Sequence, residues 1–154
     1  CGIEIKSDVR WQVGGQLECA VPYAPSRAAR GYAGAQVPRE PYTMFETGAA
    51  IGSIPVTPYG TPSTYEVPDA IAPYLQEHDV LLLANHGALT VGADAITAYY
   101  RMETLELFAK ISLTAHLLGG EKEISEENIQ KLIDLRKYYG ITGRHPGYKH
   151  YRED

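Results

Sequence analysis

The chain contains little cysteine and no basic cluster. Only Cys1 and Cys19 occur in 154 residues, without a Cys-x-x-Cys spacing, which argues against a disulfide-bonded scaffold and against a structural zinc finger. Acidic residues outnumber Lys and Arg by 19 to 14, the formal net charge is -5, and no run of basic residues exceeds two. Because nucleic acids and anionic membranes are bound through basic surfaces, we expect neither as a partner.

Long hydrophobic runs are also absent. The longest, Val80 to Ala84, is far shorter than the roughly 20 residues that a membrane-spanning helix requires. The composition, 44% apolar and 21% charged, is that of a globular domain that can bury a core. The scarcity of cysteine fits the reducing cytoplasm, where we expect the protein to reside.

An Asn-His-Gly tripeptide at the end of the apolar run is the most informative feature that is present. The run Val80 to Ala84 predicts a strand that is covered on both faces, so His86 emerges where burial stops. Gly87 permits a tight turn, and Asp94 is expected to cap a long helix from Ala95 to Leu118. A strand-end histidine suits a metal ligand, but a lone histidine in a turn is more often structural. The tripeptide alone leaves both interpretations open.

The rest of the pattern predicts strands and helices of a single domain. We expect strands at Leu17–Val21 and Ile54–Thr57, and helices at Arg27–Ala33, Tyr65–Gln76 and from Ser125 to about Tyr139. No linker or internal repeat indicates a second domain. We therefore expect one domain over residues 1–154, with a flexible tail over residues 141–154 because its end is polar and rich in turn-forming residues.

The long helix has an unusually wide apolar surface. Only four charged positions mark a solvent-facing edge: Arg101, Glu103, Glu106 and Lys110. Such breadth predicts burial against a sheet and against a neighbouring subunit.

Two segments together resemble the class II aldolase/adducin family. NHGALTVG, the following AYYRMETLE helix and its Leu-Gly-Gly stop resemble the C-terminal half of that family, and GSIPVTPYGTPSTYEVPDAIAPYL, residues 52–75, resembles it in the same order. The likeness covers about residues 37–120. It implies an α/β fold of three layers, α/β/α, with a mainly antiparallel central sheet, and a domain that lacks its N-terminal part. It also implies a homotetramer with sites between subunits.

The resemblance further implies a divalent metal, usually zinc (Zn2+), held by a His-x-His pair and by the histidine of the His-Gly turn. Such a metal acts as a Lewis acid on a ketose enediolate, while an upstream glutamate acts as acid and base. In the register set by AVPYAPSRAARGYA, residues 20–33, His86 takes the third metal position and Glu4 the acid/base position. Tyr42 lies near the position of a family tyrosine that donates a proton.

The metal pair itself is replaced in this chain. Tyr23 and Pro25 stand where the resemblance implies the two histidines. Proline has no donor atom, and a phenol with a reference pKa near 10 is a poor zinc ligand unless it is deprotonated. We expect Glu4, Tyr23 and His86 to share one cavity, but we also expect zinc to bind poorly.

The other four histidines are interpreted as structural or solvated. His116 on the long helix is expected to pack or cap, and His78 to be solvated in a polar turn. His145 and His150 have a poor metal-ligand spacing in the predicted tail.

Two classes of function follow. The first is a zinc-dependent sugar-phosphate lyase of the class II aldolase type, with an epimerase or dehydratase of the same family as variants. The second is a catalytically silent assembly or interaction module, as in adducin. Membership of the family favours the first, whereas Tyr23-Ala24-Pro25 favours the second. Function depends on the site rather than on the fold.

Overall fold

A computed structural model describes residues 9–13, 16–23, 27–38 and 42–147. Side chains are described for residues 27–38 and 42–147. Its strands are β1 (Val9–Val13), β2 (Gln16–Tyr23), β3 (Val56–Thr57), β4 (Val80–Leu83) and β5 (Gly87–Gly92). Its helices are α1 (Arg27–Ala35), α2 (Phe45–Ala50), α3 (Glu66–Ile71), α4 (Ala95–Leu117) and α5 (Glu126–Tyr138), with a short 3-10 helix at Tyr74–Gln76. No helix in these ranges is long and apolar enough to span a membrane.

The strands form one sheet in the order β1-β2-β5-β4-β3. Only the β3–β4 pair is parallel, and the other three pairs are antiparallel. The predicted mainly antiparallel sheet is therefore confirmed. The central pair β4 and β5 is a hairpin, in which Val80 pairs with Thr90 and Leu83 with Gly87.

Helices cover both faces of the sheet, which confirms the three-layer α/β/α architecture. Alternate residues of a strand point to opposite faces, and β4 uses this alternation fully. Val80 and Leu82 pack in one cluster with residues of α1 and α4, such as Ala33 and Phe108. On the opposite face, Leu81 and Leu83 pack in a second cluster with Ile71, Leu75, Leu89 and Val91.

The segment after Asn-His-Gly forms a strand that the sequence pattern did not reveal. We expected turns beside Gly87, but residues 87–92 form β5, and all six are buried. Glycine is a poor strand residue, so its presence at both ends of β5 disguised the strand. At the far end, a Cβ on Gly92 would lie 2.7 Å from the backbone nitrogen of Ala98. Glycine is thus required there by the close approach of α4.

Proline divides the predicted helix at 65–76. The helix α3 ends at Ile71, and a 3-10 helix follows from Tyr74 to Gln76. Pro73 lacks a backbone N–H, so it cannot continue the hydrogen bonding of an α-helix. A further short helix, α2, lies at Phe45–Ala50, where the sequence pattern predicted none.

The boundaries of α4 agree with the sequence. The side chain of Asp94 accepts a hydrogen bond from Thr97 N at 2.7 Å, which confirms the predicted cap. The helix stops before Gly119 and Gly120, which adopt φ angles of +112° and +109°. The N-terminal position before α5 is Ser125, as expected, but no hydrogen bond from its side chain caps the helix.

The C-terminal segment up to residue 147 is anchored, in contrast to the predicted flexible tail. Buried Asp79 accepts from Arg144 Nη1 at 2.7 Å and from Arg144 N at 2.8 Å, and it pairs with Arg101 at 3.0 Å. Arg101 also donates to the carbonyl of Thr142 at 2.8 Å. The polar composition predicted flexibility, but Arg144 binds the buried carboxylate of Asp79, which lies far earlier in the chain. Residues 148–154, including His150, lie outside the described residues.

His145 is the second anchor of this segment and is only 4% exposed. Its Nε2 lies 2.7 Å from the carbonyl of Gly48, and its Nδ1 accepts from Gly147 N at 3.2 Å. These bonds require the neutral imidazole with its proton on Nε2. Burial lowers the pKa of His145 to about 4, and the nearby charges of Arg136 and His78 act in the same direction. His78 is itself half-buried, 3.2 Å from the Ser53 carbonyl, and burial lowers its pKa as well.

The depressed pKa of His145 predicts acid sensitivity. Between pH 6.5 and about 4, His145 is protonated in the unfolded chain but stays neutral in the native protein. The free energy of unfolding therefore falls as the pH is lowered through this range. The free energy of unfolding lost in this way, about 2–3 kcal/mol, is lost fully by about pH 4 and not at all above pH 6.5. In H145Q the side chain cannot titrate, so urea unfolding measured from pH 7 to 4.5 should show a flatter decline. H116Q, at an exposed position of α4, is the control. Equal slopes in wild type and H145Q would contradict the prediction.

Candidate functional site

His86 stands at the tip of the β4–β5 hairpin. The connection is Ala84-Asn85-His86, and the turn is closed by a hydrogen bond of 3.0 Å from His86 N to the Leu83 carbonyl. Asn85 adopts the left-handed conformation with φ of 57°, which asparagine tolerates better than most residues. Both Asn85 and His86 are exposed, whereas the residues on either side of them are buried. His86 is therefore exposed at the end of two central strands, where a ligand can reach it.

The sheet brings β2 beside this tip. Tyr23, the last residue of β2, pairs with Ala88, two positions beyond His86. The backbone register therefore places position 23 next to the hairpin end. The structure describes the backbone of Tyr23 but not its side chain, and Glu4 and Pro25 lie outside the described residues. The predicted shared cavity and the roles of Glu4 and Tyr23 thus stay predictions.

Tyr42 lies in a different part of the molecule. Its side chain, 7% exposed, packs in a cluster with Ile129 and Ile133 of α5. Its carbonyl accepts a hydrogen bond of 2.7 Å from Ile124 N. The structure therefore gives Tyr42 a packing role beneath α5, and its role as a proton donor stays a prediction.

A small pocket adjoins His86 on the α3 face of the sheet. It is lined mostly by apolar groups, with a volume near 10 Å³, about the room for one water molecule. The lining residues are Thr57, Pro58, Gly60, Val67, Ala70, Leu83, Ala84 and His86. Because the pocket is so small, a ligand larger than a water molecule would contact its rim rather than enter it. Sequence reasoning singled out only His86 among these residues.

The loop that forms this rim is fixed by local hydrogen bonds. Glu66 accepts from Thr61 N at 2.8 Å, and the hydroxyl of Thr64 donates to the Thr61 carbonyl at 2.7 Å. The hydrogen bonds from Thr61 lower the pKa of Glu66. A Cβ on Gly60 would lie 2.8 Å from the backbone of Glu66 and Val67, so only glycine fits there. The Pro-Tyr-Gly-Thr-Pro segment is thereby held against the start of α3.

Within the described part of the chain, the donor atoms near His86 do not make up a zinc site with three protein ligands. Throughout the described residues, no three His, Cys, Asp or Glu side chains are close enough to hold a metal ion. Catalytic zinc sites usually use three such ligands plus water. In the register of the resemblance, Pro25 cannot supply one of them. His86 could supply one strong ligand, but both this role and the expectation of weak zinc binding stay predictions.

The comparison with known proteins agrees with the fold and covers the segment that contains His86. Residues 19–113 match the family described as the Class II Aldolase and Adducin N-terminal domain. This match covers more than half of the chain and includes the whole β4–β5 hairpin. The chain belongs to the class II aldolase and adducin family.

Among characterised relatives, the chain is similar to rhamnulose-1-phosphate aldolases. It is 31% identical to that of Bacteroides thetaiotaomicron over 78 residues, which cover 50% of this chain and 29% of the relative. It is likewise 31% identical to that of Pectobacterium carotovorum over 88 residues, 56% of this chain and 31% of the relative. The chain thus spans about a third of the length of these relatives.

Solved structures show the same fold. An L-fuculose 1-phosphate aldolase superposes with a TM-score of 0.66 at 24% identity, covering 72% of this chain and 52% of the other. The L-fuculose-1-phosphate aldolase of Thermus thermophilus gives a TM-score of 0.56 at 29% identity, covering 65% of this chain and 54% of the other.

Glu106 on α4 holds the start of α1, the helix that packs behind the hairpin. Its carboxylate, on α4, accepts hydrogen bonds from Ala28 N at 3.2 Å and Ala29 N at 3.1 Å, in the first turn of α1. A carboxylate there satisfies free N–H groups and complements the positive end of the helix dipole. The opposite end of α1 receives the hairpin, since Asn85 N donates to the Ala33 carbonyl at 3.0 Å.

Removal of this carboxylate should destabilise the protein measurably. E106A leaves the first N–H groups of α1 without their acceptor, so we expect the free energy of unfolding to fall by about 1–2 kcal/mol. The matched control is E103A on the same helix, where the carboxylate is exposed and its loss should cost less than about 0.5 kcal/mol. Denaturant unfolding of both variants decides the matter. Equal losses would show that Glu106 does not support α1.

Proposed function

We propose that the chain forms part of a sugar-phosphate lyase of the aldolase type, which cleaves a ketose phosphate through an enediolate. The observation that carries the proposal is the exposed imidazole of His86 at the tip of a buried hairpin, within the segment that matches the family. The similar proteins are named for rhamnulose 1-phosphate and fuculose 1-phosphate, which supports a sugar phosphate as substrate. Which sugar is used is left to the assay below.

The chemistry sets what the site must supply. In retro-aldol cleavage a base removes a proton from a hydroxyl group, and its oxygen forms the carbonyl of the departing aldehyde as the carbon–carbon bond breaks. The electron pair of that bond passes to the remaining ketose fragment, which becomes the enediolate. The negative charge on the enediolate oxygens has to be stabilised by fixed charges or hydrogen-bond donors. An imidazole at the end of the two central strands can donate to such an oxygen or bind an electrophilic ion. Glu4 is proposed as the acid/base group and Tyr42 as a weaker candidate proton donor, both by resemblance.

Zinc enters this proposal by resemblance only. When bound, zinc would polarise the substrate oxygens. His86 is proposed as one ligand and Tyr23 as a second, but Tyr23 has to lose its proton to bind well. Pro25 cannot complete the set. An additional donor would have to come from elsewhere, so the affinity of this chain for zinc should be low.

The second candidate, a catalytically silent module of the adducin kind, is favoured by this same replacement. A domain that has lost metal ligands can retain its fold, because β4 and β5 are buried among apolar side chains of the described helices. Such a module would keep its surfaces for assembly and lose the chemistry at His86.

The exposed apolar face of α4 supports assembly into a homo-oligomer. It carries large hydrophobic side chains that are 36% to 62% exposed, at Ile96, Tyr100, Leu107 and Ile111. Exposed apolar patches of this kind are uncommon on monomers. We propose a homotetramer in the cytoplasm, with residues 40–60 near a subunit boundary. The number four and the location rest on resemblance and composition.

The assembly can be measured directly. Light scattering on the purified chain should give a mass well above the 16.9 kDa of one chain across micromolar concentrations. L107E places a charge in the apolar face and should shift the mass toward the monomer, whereas K122E, on an exposed position beyond α4, should not. A monomeric wild-type chain would contradict the proposed assembly.

The lyase proposal is tested with L-rhamnulose 1-phosphate and L-fuculose 1-phosphate as substrates. Protein purified without added zinc should contain well under one equivalent of the metal, and cleavage should appear when zinc is supplied in excess. H86A should reduce the rate by about 100-fold or more, since it removes the one imidazole at the site. The control H116A, far along α4, should keep the rate. Absence of cleavage by the zinc-supplemented wild type would favour the silent module.

A further inference from the structure

The tip of the β4–β5 hairpin is joined to the end of α1 by side-chain amides as well as by the backbone. The Nε2 of Gln36 donates to the Oδ1 of Asn85 at 2.9 Å. The Nδ2 of Asn85 also lies 3.5 Å from the Gly34 carbonyl, at the limit of a hydrogen bond. With the bond from Asn85 N to the Ala33 carbonyl, one asparagine makes three contacts with residues about fifty positions earlier in the chain.

Both partners of the amide bridge adopt a conformation that disfavours most side chains. The φ angle is 57° at Asn85 and 53° at Gln36, where glycine would be free of strain. At Gln36 this strain is notable, because glutamine lacks the tolerance of asparagine for the left-handed region. A strained backbone persists where surrounding contacts hold it, and such positions concentrate at functional sites. At Gln36 the conformation also ends α1, where Gln36 N donates to the Ala33 carbonyl at 3.3 Å and Val37 N to the Tyr32 carbonyl at 3.1 Å. The amide bridge is the side-chain contact that joins this helix end to the hairpin tip.

We propose that Asn85 and Gln36 are positioning residues, whose amide bridge fixes the tip of the hairpin and so sets the direction in which His86 presents its imidazole. This inference rests on the proposed function for the role of His86. The bridge ties the residue before His86 to α1, and Glu106 on α4 holds the other end of α1. The imidazole is thus oriented by a path of hydrogen bonds that extends to α4.

A purely structural role for the bridge is less consistent with its surroundings. The hairpin is stabilised by the burial of β4 and β5, and its turn is closed by the bond from His86 N to the Leu83 carbonyl. The Gln36–Asn85 bond, by contrast, is exposed to solvent. An exposed hydrogen bond contributes little to global stability, yet it can restrict the motion of the short tip that it joins.

The test compares N85G, Q36A and the double variant in the 154-residue chain. Glycine keeps the left-handed turn and removes only the side chain, so N85G should fold. We expect the thermal midpoint to stay within about 2 °C, and the NMR order parameter of the His86 amide to fall from about 0.85 toward 0.6. The dissociation constant for L-rhamnulose 1-phosphate should rise about three- to tenfold. The double variant should match the single ones, because all three lose the same bridge.

Two controls define the result. N85D keeps the acceptor oxygen for Gln36 and should retain the wild-type order parameter, while N128A, exposed on α5, should change neither quantity. An unchanged order parameter in both N85G and Q36A, or additive effects in the double variant, would overturn the bridge. If wild type and H86A bind the sugar phosphate equally, the proposed function fails, but the order parameters still decide whether the bridge positions the tip.

Discussion

The rest of the structure depends on the complete burial of the β4–β5 hairpin. Every residue from Val80 to Ala84 and from Gly87 to Gly92 is buried, and only Asn85 and His86 between them are exposed. This follows from a sheet that carries helices on both faces, so that both sides of each central strand need apolar residues. The one polar side chain within the two strands, Thr90, is buried and donates to the Ala98 carbonyl at 2.7 Å, so the exposed polar side chains of the hairpin are those of Asn85 and His86 at the tip. The position of the candidate site is therefore a direct result of how the core is formed.

The opposite end of the hairpin is held by charge. Asp79 precedes β4, and its carbonyl accepts a hydrogen bond of 2.8 Å from Val91 N. Its buried carboxylate binds Arg101 and Arg144, so that β4, α4 and the C-terminal segment meet at one group. Loss of one partner of a buried ion pair is costly, because it leaves a charge without compensation. The hairpin is thus anchored by an ion-pair network at one end and is open to ligands at the other.

Local signals were enough for part of this architecture. The apolar run of β4, the Asp94 cap and the glycines after α4 specify their elements through nearby residues. Tertiary contacts decided the rest. Gly87 and Gly92 looked like turn residues but belong to a buried strand, and His145, placed in a predicted flexible tail, is buried 2.7 Å from the Gly48 carbonyl. His86 could be chosen from sequence because it ends a buried run. Gln36 could not, because its partner Asn85 is brought to it only by the fold.

The family likeness favours a lyase, whereas the replaced metal pair favours a catalytically silent module. The two proposals differ in what they expect at His86. We propose a ligand site at the exposed hairpin tip whether or not catalysis is retained. The most direct test of that claim is an NMR titration of the chain with L-rhamnulose 1-phosphate in the presence of zinc. The account predicts that amide shift changes concentrate at residues 84–88 and 57–60. Changes concentrated on α5, or spread evenly over the surface, would contradict it.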